Sequence, residues 1–252
     1  MIDEKLIPEI FDYLLIFVRM SALVIMFPAL GDRAIPARIR ASLGAAIALV
    51  TYFPLREHIP PMPPTTWGIV WLIIKEFLIG AMLGTVVRFI LSAAHTMGTI
   101  ASFMTGLAAA QSFDPNQGGQ SAIFSAFMSV TSIVLIFVTD MHHMLILGLV
   151  NSYTKLPVNG VISAADFAFV ALSQVAKSFA LGVQLASPFL LYGIIYNTSL
   201  GLISRLVPSF QVFFIGMPLN IYVGWVLFSI LYGSILVILM RKVSDYLGDL
   251  LG

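Results

Sequence analysis

Three long stretches of the chain carry no charged residue, and they constrain its fold more than any other feature. They run from Pro115 to Thr139, from Ser178 to Ser204 and from Leu206 to Met240. Each matches or exceeds the ~20 apolar residues that cross the hydrocarbon of a bilayer. Only 10% of the residues are charged and 59% are hydrophobic, whereas a soluble domain carries about 25% charged residues. The chain is therefore predicted to be an integral membrane protein or part of an apolar membrane assembly.

The composition also excludes several classes of function. A net charge of +1 gives no basic field for binding nucleic acid. The chain has no cysteine, which excludes disulfides, iron–sulfur clusters and thiolate metal sites. No P-loop, HExxH, GxSxG or kinase signature is present in the sequence. We therefore predict a protein that is not an enzyme and has no cofactor and no resident metal.

The apolar segments predict an all-α fold of membrane-type helical hairpins. In lipid a backbone must satisfy its own hydrogen bonds, and the alternation typical of a β-barrel is absent. Prolines at positions 28, 188 and 218 predict kinks or breaks. The second segment is short for a crossing, and the fifth is too long for one straight helix. The six segments are Tyr13–Leu30, Ala41–Phe53, Trp67–Leu91, Ser121–Val150, Phe167–Ile203 and Phe210–Met240.

The charges that flank these segments predict no consistent orientation. The first residues are acidic, which does not match a cleavable signal peptide, so the first apolar segment is expected to be retained. The positive-inside rule places the loop with Arg33, Arg38 and Arg40 in the cytoplasm. Six crossings would then place Arg241 and Lys242 outside, against the same rule. We infer that some segments form a hairpin or never cross lipid.

Five ionisable residues lie inside mainly apolar stretches, namely Arg19, Glu76, Arg88, Asp140 and Lys177. A charge at the bilayer centre costs roughly 2.5–3.5 kcal/mol on insertion scales. Pairing between helices or with neighbouring subunits is the first interpretation. The second is an ion path, in which a secondary transporter uses Glu76, Asp140 and Lys177 as a proton relay. The third interpretation is snorkelling, in which charged side chains near the ends of a segment extend to the membrane surface.

One helical stripe and one histidine cluster also stand out. The stripe holds Glu76, Gly80, Gly84 and Arg88, and a similar repeat follows at Asn197, Gly201 and Arg205. Glycines four residues apart let another helix approach closely, so the first stripe is predicted to be a packing seam. Asp140, His142 and His143 form the one cluster that suggests a metal. Because neighbouring helical residues point about 100° apart, we interpret it as a polar cluster at a helix end.

The region 101–120 is rich in small and polar residues and has two interpretations. It could be a flexible hairpin, because Asp-Pro and Gly-Gly are turn formers. It could also be a pore plug, since phenylalanine and methionine exclude water from a constriction. The candidate plug residues are Phe103, Met104, Gly106, Phe113, Asp114, Pro115, Gly118 and Gly119.

Across nearly its whole length the chain resembles the FliR family of flagellar export proteins and its SctT-type injectisome counterparts. The resemblance rests on Arg33 to Pro36, Glu76 to Gly84, Gly106 with Asp114-Pro115, Asp140 to His143, and the stretch from Gly201 through Arg205 and Pro208 to Pro218. Two positions depart from the family pattern. Met141 replaces a small residue before the histidines, and Ser209 falls where a larger polar residue is common.

The resemblance implies a single domain over residues 1–252 that acts as a non-enzymatic subunit of the type III export gate. Family members assemble with FliP and FliQ around a protein-conducting pore for unfolded substrates, and FlhB and FlhA associate with it. The assembly is expected in the bacterial inner membrane at the flagellar basal body, largely on the periplasmic side. The family's plug loop corresponds to roughly Gly106–Gln120. Buried charges, including Arg205, are then expected to face neighbouring subunits.

Overall fold

The computed structural model describes residues 6–28, 30–31, 35–107, 122–160, 164–207 and 212–251. All regular secondary structure in these ranges is helical, which confirms the predicted all-α fold. A single 3₁₀ turn, Arg56–His58, follows the second helix. The α-helices are α1 (Leu6–Met26), α2 (Ala37–Leu55), α3 (Thr66–Met104), α4 (Ile123–Val138), α5 (Met141–Lys155), α6 (Ala164–Leu206) and α7 (Val212–Leu251).

Proline sets the boundary between α1 and α2. Helix α1 ends at Met26, two residues before Pro28, because proline restricts the residue before it and donates no hydrogen bond. Pro36 stands immediately before α2 with φ −55° and ψ 142°. The break predicted at Pro28 is therefore present.

Helices α6 and α7 continue through Pro188 and Pro218, so neither proline breaks its helix, and the kinks predicted as the alternative stay a prediction. A proline removes one hydrogen bond and costs about 3 kcal/mol in a helix interior. Around Pro188 the side chains of Leu185, Ala186 and Phe189 are all buried. We attribute the continuity of α6 to this packing, which holds the helix in place on both sides of the proline.

The fourth predicted segment contains a break without a proline. Helices α4 and α5 meet at Thr139–Asp140 with a bend of 74°. Asp140 has a φ of 57°, in the left-handed region that aspartate enters more readily than most residues. One left-handed residue is enough to redirect a helical chain, so the predicted single segment Ser121–Val150 becomes two helices.

Three helices are long and apolar enough to cross a membrane within the described residues. They lie in α3, α6 and α7, and the bent pair α4–α5 raises the number to four. Helices α1 and α2 are not among them.

The described residues belong to two compact units. The first unit is built from Met1–Ile90, Thr139–Val175 and Ser244–Gly252, and the second from Leu91–Val138 and Ala176–Val243. Each unit has its own apolar core. The prediction of one family domain over residues 1–252 is not tested by this division and stays a prediction.

The two cores differ in the side chains that fill them. In the first unit α1 buries aliphatic residues such as Leu15 and Ile16. The second unit has an aromatic core, in which the rings of Phe124 and Phe228 stack with centroids 4.2 Å apart and Trp225 meets Phe124 edge-on at 5.0 Å. Stacked and edge-on pairs of this kind contribute beyond the apolar area that they bury.

Candidate functional site

An ion pair between Arg19 on α1 and Glu76 on α3 lies in the core of the first unit. Arg19 Nε lies 2.6 Å from Glu76 Oε2, and Arg19 Nη2 lies 2.8 Å from Glu76 Oε1. This two-point geometry fits the planar guanidinium fork to a carboxylate. Both side chains are completely buried. The structure therefore brings together two of the charges that the sequence placed in apolar surroundings.

The remaining faces of the Arg19 guanidinium are also occupied. Its Nη1 donates to Ser152 Oγ at 3.0 Å, and its Nη2 donates to the carbonyl oxygen of Leu156 at 3.1 Å. The ring of Tyr153 lies against the guanidinium, with 3.7 Å from Cζ to the ring centroid. A buried ion pair offsets its desolvation only when such further contacts are made. The network thus links α1 and α3 to α5 and the turn after it.

Lys75, next to Glu76 in sequence, contacts the same turn. Its ammonium donates to the carbonyl oxygens of Val158 and Gly160, and its side chain is largely buried. Carbonyl groups after a helix C-terminus carry partial negative charge and attract a cation. Lys75 therefore fixes the turn that follows α5 against α3.

The seam predicted from Gly80 and Gly84 lies between α3 and α1. A Cβ atom on Gly80 would overlap the backbone oxygen of Arg19, and one on Gly84 would lie 2.6 Å from Met26 Cβ. Glycine is thus required at both positions for the two backbones to approach this closely. The close approach places the Arg19 backbone beside the turn of α3 that carries Glu76.

The other residues that were predicted as buried charges are exposed on this chain taken alone. They are Arg88, Asp140, Lys177 and Arg205. Arg88 on α3, and Lys177 and Arg205 on α6, occupy helix faces that point away from the buried apolar side chains of the unit that contains each residue. Asp140 lies between α4 and α5. Burial against other subunits stays a prediction for these four residues.

The second small-residue repeat does not form a seam within the second unit. Asn197 and Gly201 are exposed, and a Cβ atom on Gly201 would meet no atom within 4 Å. A similar spacing therefore has two different outcomes in α3, where the repeat holds two glycines, and in α6, where it holds one. What differs is the presence of a neighbouring helix, which spacing alone does not encode.

The histidine cluster is closer together than helical geometry predicted. The rings of His142 and His143 have centroids 4.1 Å apart. One ligand atom from each histidine and from Asp140 lies within 4.8 Å of the others. Asp140 Oδ1 lies 3.7 Å from His143 Nδ1 in the first turn of α5. The side chains of Asp140 and His143 are 75% and 64% exposed, so no enclosed ligand site surrounds the cluster.

The end of α3 is held tightly within the second unit. Gly106 follows the helix with a φ of 73°, and a Cβ atom there would lie 3.1 Å from Asn220 Nδ2. Asn220 donates to the Met104 carbonyl at 3.5 Å and accepts from Tyr192 at 2.8 Å. Gly193 lies so close to Met104 that a Cβ would come within 2.6 Å of its sulfur. The residue at which the predicted plug loop begins is thus fixed by α6 and α7.

The predicted plug residues fall into two groups. Met104 packs against Gly193, whereas Phe103 on the same helix end is 64% exposed. The other members lie outside the described residues, namely Phe113, Asp114, Pro115, Gly118 and Gly119.

Several contacts that define this site were not anticipated from the sequence. Ser152 and Tyr153 complete the Arg19 network, and Tyr192 with Asn220 holds the end of α3. Asn220 carried a usable signal, because an amide inside a long uncharged stretch needs a hydrogen-bonding partner. Serine and tyrosine are common in such stretches and carried no signal of this kind.

Comparison with known proteins places this architecture in a family. Residues 10–246 match the family described as bacterial export proteins, family 1. The flagellar biosynthetic protein FliR of Caulobacter vibrioides is 36% identical over 239 residues, which cover 95% of both chains. The FliR of Pectobacterium carotovorum is 32% identical, over 93% of this chain and 90% of the relative. That of Escherichia coli is 30% identical, over 82% of this chain and 78% of the relative. The chain therefore belongs to the FliR family of bacterial flagellar export proteins.

Proposed function

We propose that this chain is a non-enzymatic subunit of the flagellar type III export gate, forming a protein-conducting pore with FliP and FliQ. In this proposal FlhB and FlhA associate with the complex, and unfolded export substrates pass through it. The subunit resides in the bacterial inner membrane at the basal body, largely on the periplasmic side. Membership of the flagellar export family supports the general role.

The exposed position of Arg88 carries the assembly part of the proposal. Arg88 lies within α3, a helix long and apolar enough to span a membrane, yet its side chain is exposed on the isolated chain. A guanidinium facing acyl chains is strongly unfavourable. A surface that combines apolar side chains with this charge is better suited to a neighbouring subunit or a water-filled conduit.

The plug part of the proposal is supported by the fixed end of α3. A loop that closes a pore needs a defined starting point. Gly106 lies beside Asn220, which donates a hydrogen bond to the carbonyl oxygen of Met104, two residues earlier. In the proposal the segment from Gly106 to Gln120 closes the resting pore, with Phe113 as its main apolar contact. Phe103 and Met104 contribute from the adjoining helix.

The transporter hypothesis receives no comparable support. Glu76 is bonded through both carboxylate oxygens to Arg19, so it is not available to accept a transported proton without breaking a buried pair. Asp140 and Lys177 are exposed. The export gate is therefore the function that these residues favour.

Deletion of residues 106–120 tests the proposal. The variant complex, assembled with FliP and FliQ homologues in a bacterial inner membrane, is expected to conduct ions at rest, measured as loss of membrane potential. A matched control replaces the same residues by a glycine–serine linker of equal length. That control should also leak, because it keeps the connection and removes the apolar side chains.

Two outcomes would contradict the proposal. If a fully assembled deletion complex held the membrane potential as well as the unmodified complex, residues 106–120 would not be the plug. Purification of this chain as a monomer that takes up protons with a substrate would instead favour the transporter class. A stable complex with several smaller membrane proteins supports the gate.

A further inference from the structure

A cleft opens between α1 and α2 in the first unit. The two helices are in close contact at Ser21 and Gly44, where a Cβ on the glycine would collide with the serine side chain. Beyond this point they separate and leave a cleft of about 440 Å³. Pockets that bind small molecules measure roughly 300–1,000 Å³. The lining residues are Phe17, Ser21, Ile25, Ala37, Arg40 and Ala41.

Two polar atoms in this cleft are buried without a hydrogen-bonding partner among the described residues. They are Arg40 Nε and Ser21 Oγ. Arg40 also donates through Nη1 to the carbonyl oxygen of Gly31 at 3.2 Å, which fixes the guanidinium at the edge of the cleft. A buried donor left unsatisfied costs about 1–3 kcal/mol, and more when it is charged. Both atoms have almost no accessible surface, so an acceptor oxygen in the cleft would remove this cost once the two side chains turn toward it.

The start of α2 adds positive charge at the same place. Its first turn contains Arg38 and no acidic residue, and Pro36 before it provides no side-chain cap. A helix N-terminus favours negative charge, so arginines there are unfavourable unless an anion is present. The charge pattern and the unpartnered Nε atom therefore both favour an anionic ligand.

We propose that the cleft between α1 and α2 binds one anionic phospholipid, with its phosphate on Arg40 and Ser21 and part of an acyl chain against Phe17 and Ile25. A phosphodiester provides acceptor oxygens attached to an apolar chain, and the cleft has both kinds of lining. The proposal is independent of the plug.

Titration of the purified full-length chain in neutral detergent tests this site, with native mass spectrometry as the readout. Phosphatidylglycerol is expected to be retained as one molecule per chain, and phosphatidylcholine is not. Arg40→Ala should weaken retention about tenfold, the effect of losing one charge-assisted contact of about 1.4 kcal/mol. Arg38→Ala removes the same charge from an exposed neighbouring position and should change retention less than twofold.

A second variant separates the cleft from a general electrostatic effect. Ala41→Leu keeps every charge and narrows the cleft, so it should also reduce phosphatidylglycerol retention, and its unaltered circular dichroism would show that the chain still folds. Equal losses in Arg38→Ala and Arg40→Ala would overturn the proposal. Complete displacement by millimolar inorganic phosphate would do so too, since the site would then bind free phosphate and not a lipid.

Discussion

At the scale of single residues, the Arg19 network shows how a charge is accommodated in an apolar helix. Glu76 neutralises the guanidinium, Ser152 and the Leu156 carbonyl accept its remaining hydrogen bonds, and Tyr153 covers its face. Each of these contacts depends on the others being in place, because a half-satisfied buried network is less stable than an apolar core.

Arg19→Leu is expected to destabilise the chain by about 3–5 kcal/mol, because it leaves Glu76 buried without a partner. Chemical denaturation of the purified protein in detergent micelles measures this loss. The double variant Arg19→Leu/Glu76→Leu should recover most of it, since no buried charge remains. Arg56→Ala is the control, because its ion pair with Glu9 is largely exposed and surface pairs contribute about 0–1 kcal/mol. A loss in Arg19→Leu no larger than in the control would contradict this account.

The left-handed Asp140 permits a second test at this scale. Asp140→Val should destabilise the chain by roughly 1–2 kcal/mol, because a β-branched residue is strained at positive φ. Asp140→Gly removes that strain and should be neutral or slightly stabilising. Thermal unfolding followed by circular dichroism distinguishes the two variants. Equal effects of valine and glycine would show that the bend does not depend on this backbone conformation.

At the scale of helices, contact between α1 and α3 depends on the absence of side chains at Gly80 and Gly84. Both glycines face α1 backbone or Cβ atoms at distances too short for a further carbon. The same contact determines where along α1 and α3 the side chains of Arg19 and Glu76 meet. A change in helix separation at the seam would therefore also alter the ion pair.

Gly80→Ala is expected to lower the thermal unfolding midpoint, because the added methyl group forces α1 and α3 apart. Gly201→Ala is the matched control on α6, where the added methyl group meets open space. Alanine is favoured over glycine in a helix by about 1 kcal/mol, so the control should be neutral or stabilising. If both variants raised the midpoint, the seam would not be closely packed.

The sequence predicted well where the helices lie, and less well which helices pack against each other. Apolar character predicted the positions of α3, α6 and α7, and glycine spacing predicted a seam at Gly80. The similar spacing at Gly201 has no partner within the second unit, because periodicity describes one helix face and not what lies opposite. The bend at Asp140 was missed for a related reason. A single left-handed residue leaves no periodic trace in the surrounding apolar sequence.

At the scale of the whole molecule, many large apolar side chains remain exposed on helices that also carry exposed charges. On α2, Val50 and Phe53 are 78% and 79% exposed. Large exposed apolar surfaces of this kind mark sites of contact with another protein or with a membrane. The chain therefore has more apolar surface than its own folding uses.

Phe53→Ser tests whether this surface serves assembly. Its side chain makes little contact within the chain, so the unfolding midpoint of the purified subunit should change little. Co-purification with FliP and FliQ homologues should fall if a partner covers α2. Leu15→Ser, at a fully buried position, is the opposite control and should lower the stability of the subunit itself. If co-purification were unchanged in Phe53→Ser, the exposed apolar face of α2 would contact lipid and not a partner subunit.

The residues that contact Arg19 are synthesised well after it, because they lie far along the sequence. Glu76 lies 57 residues later and Ser152 lies 133 residues later. At a synthesis rate of ~5–20 residues per second, the last of these groups emerges roughly 7–27 seconds after Arg19. Glu76, which neutralises the charge, emerges roughly 3–11 seconds after Arg19, and until then the nascent chain carries an unpaired cation in its first apolar segment. The contacts that complete the burial of Arg19 thus become available only after the ribosome has made more than half of the protein.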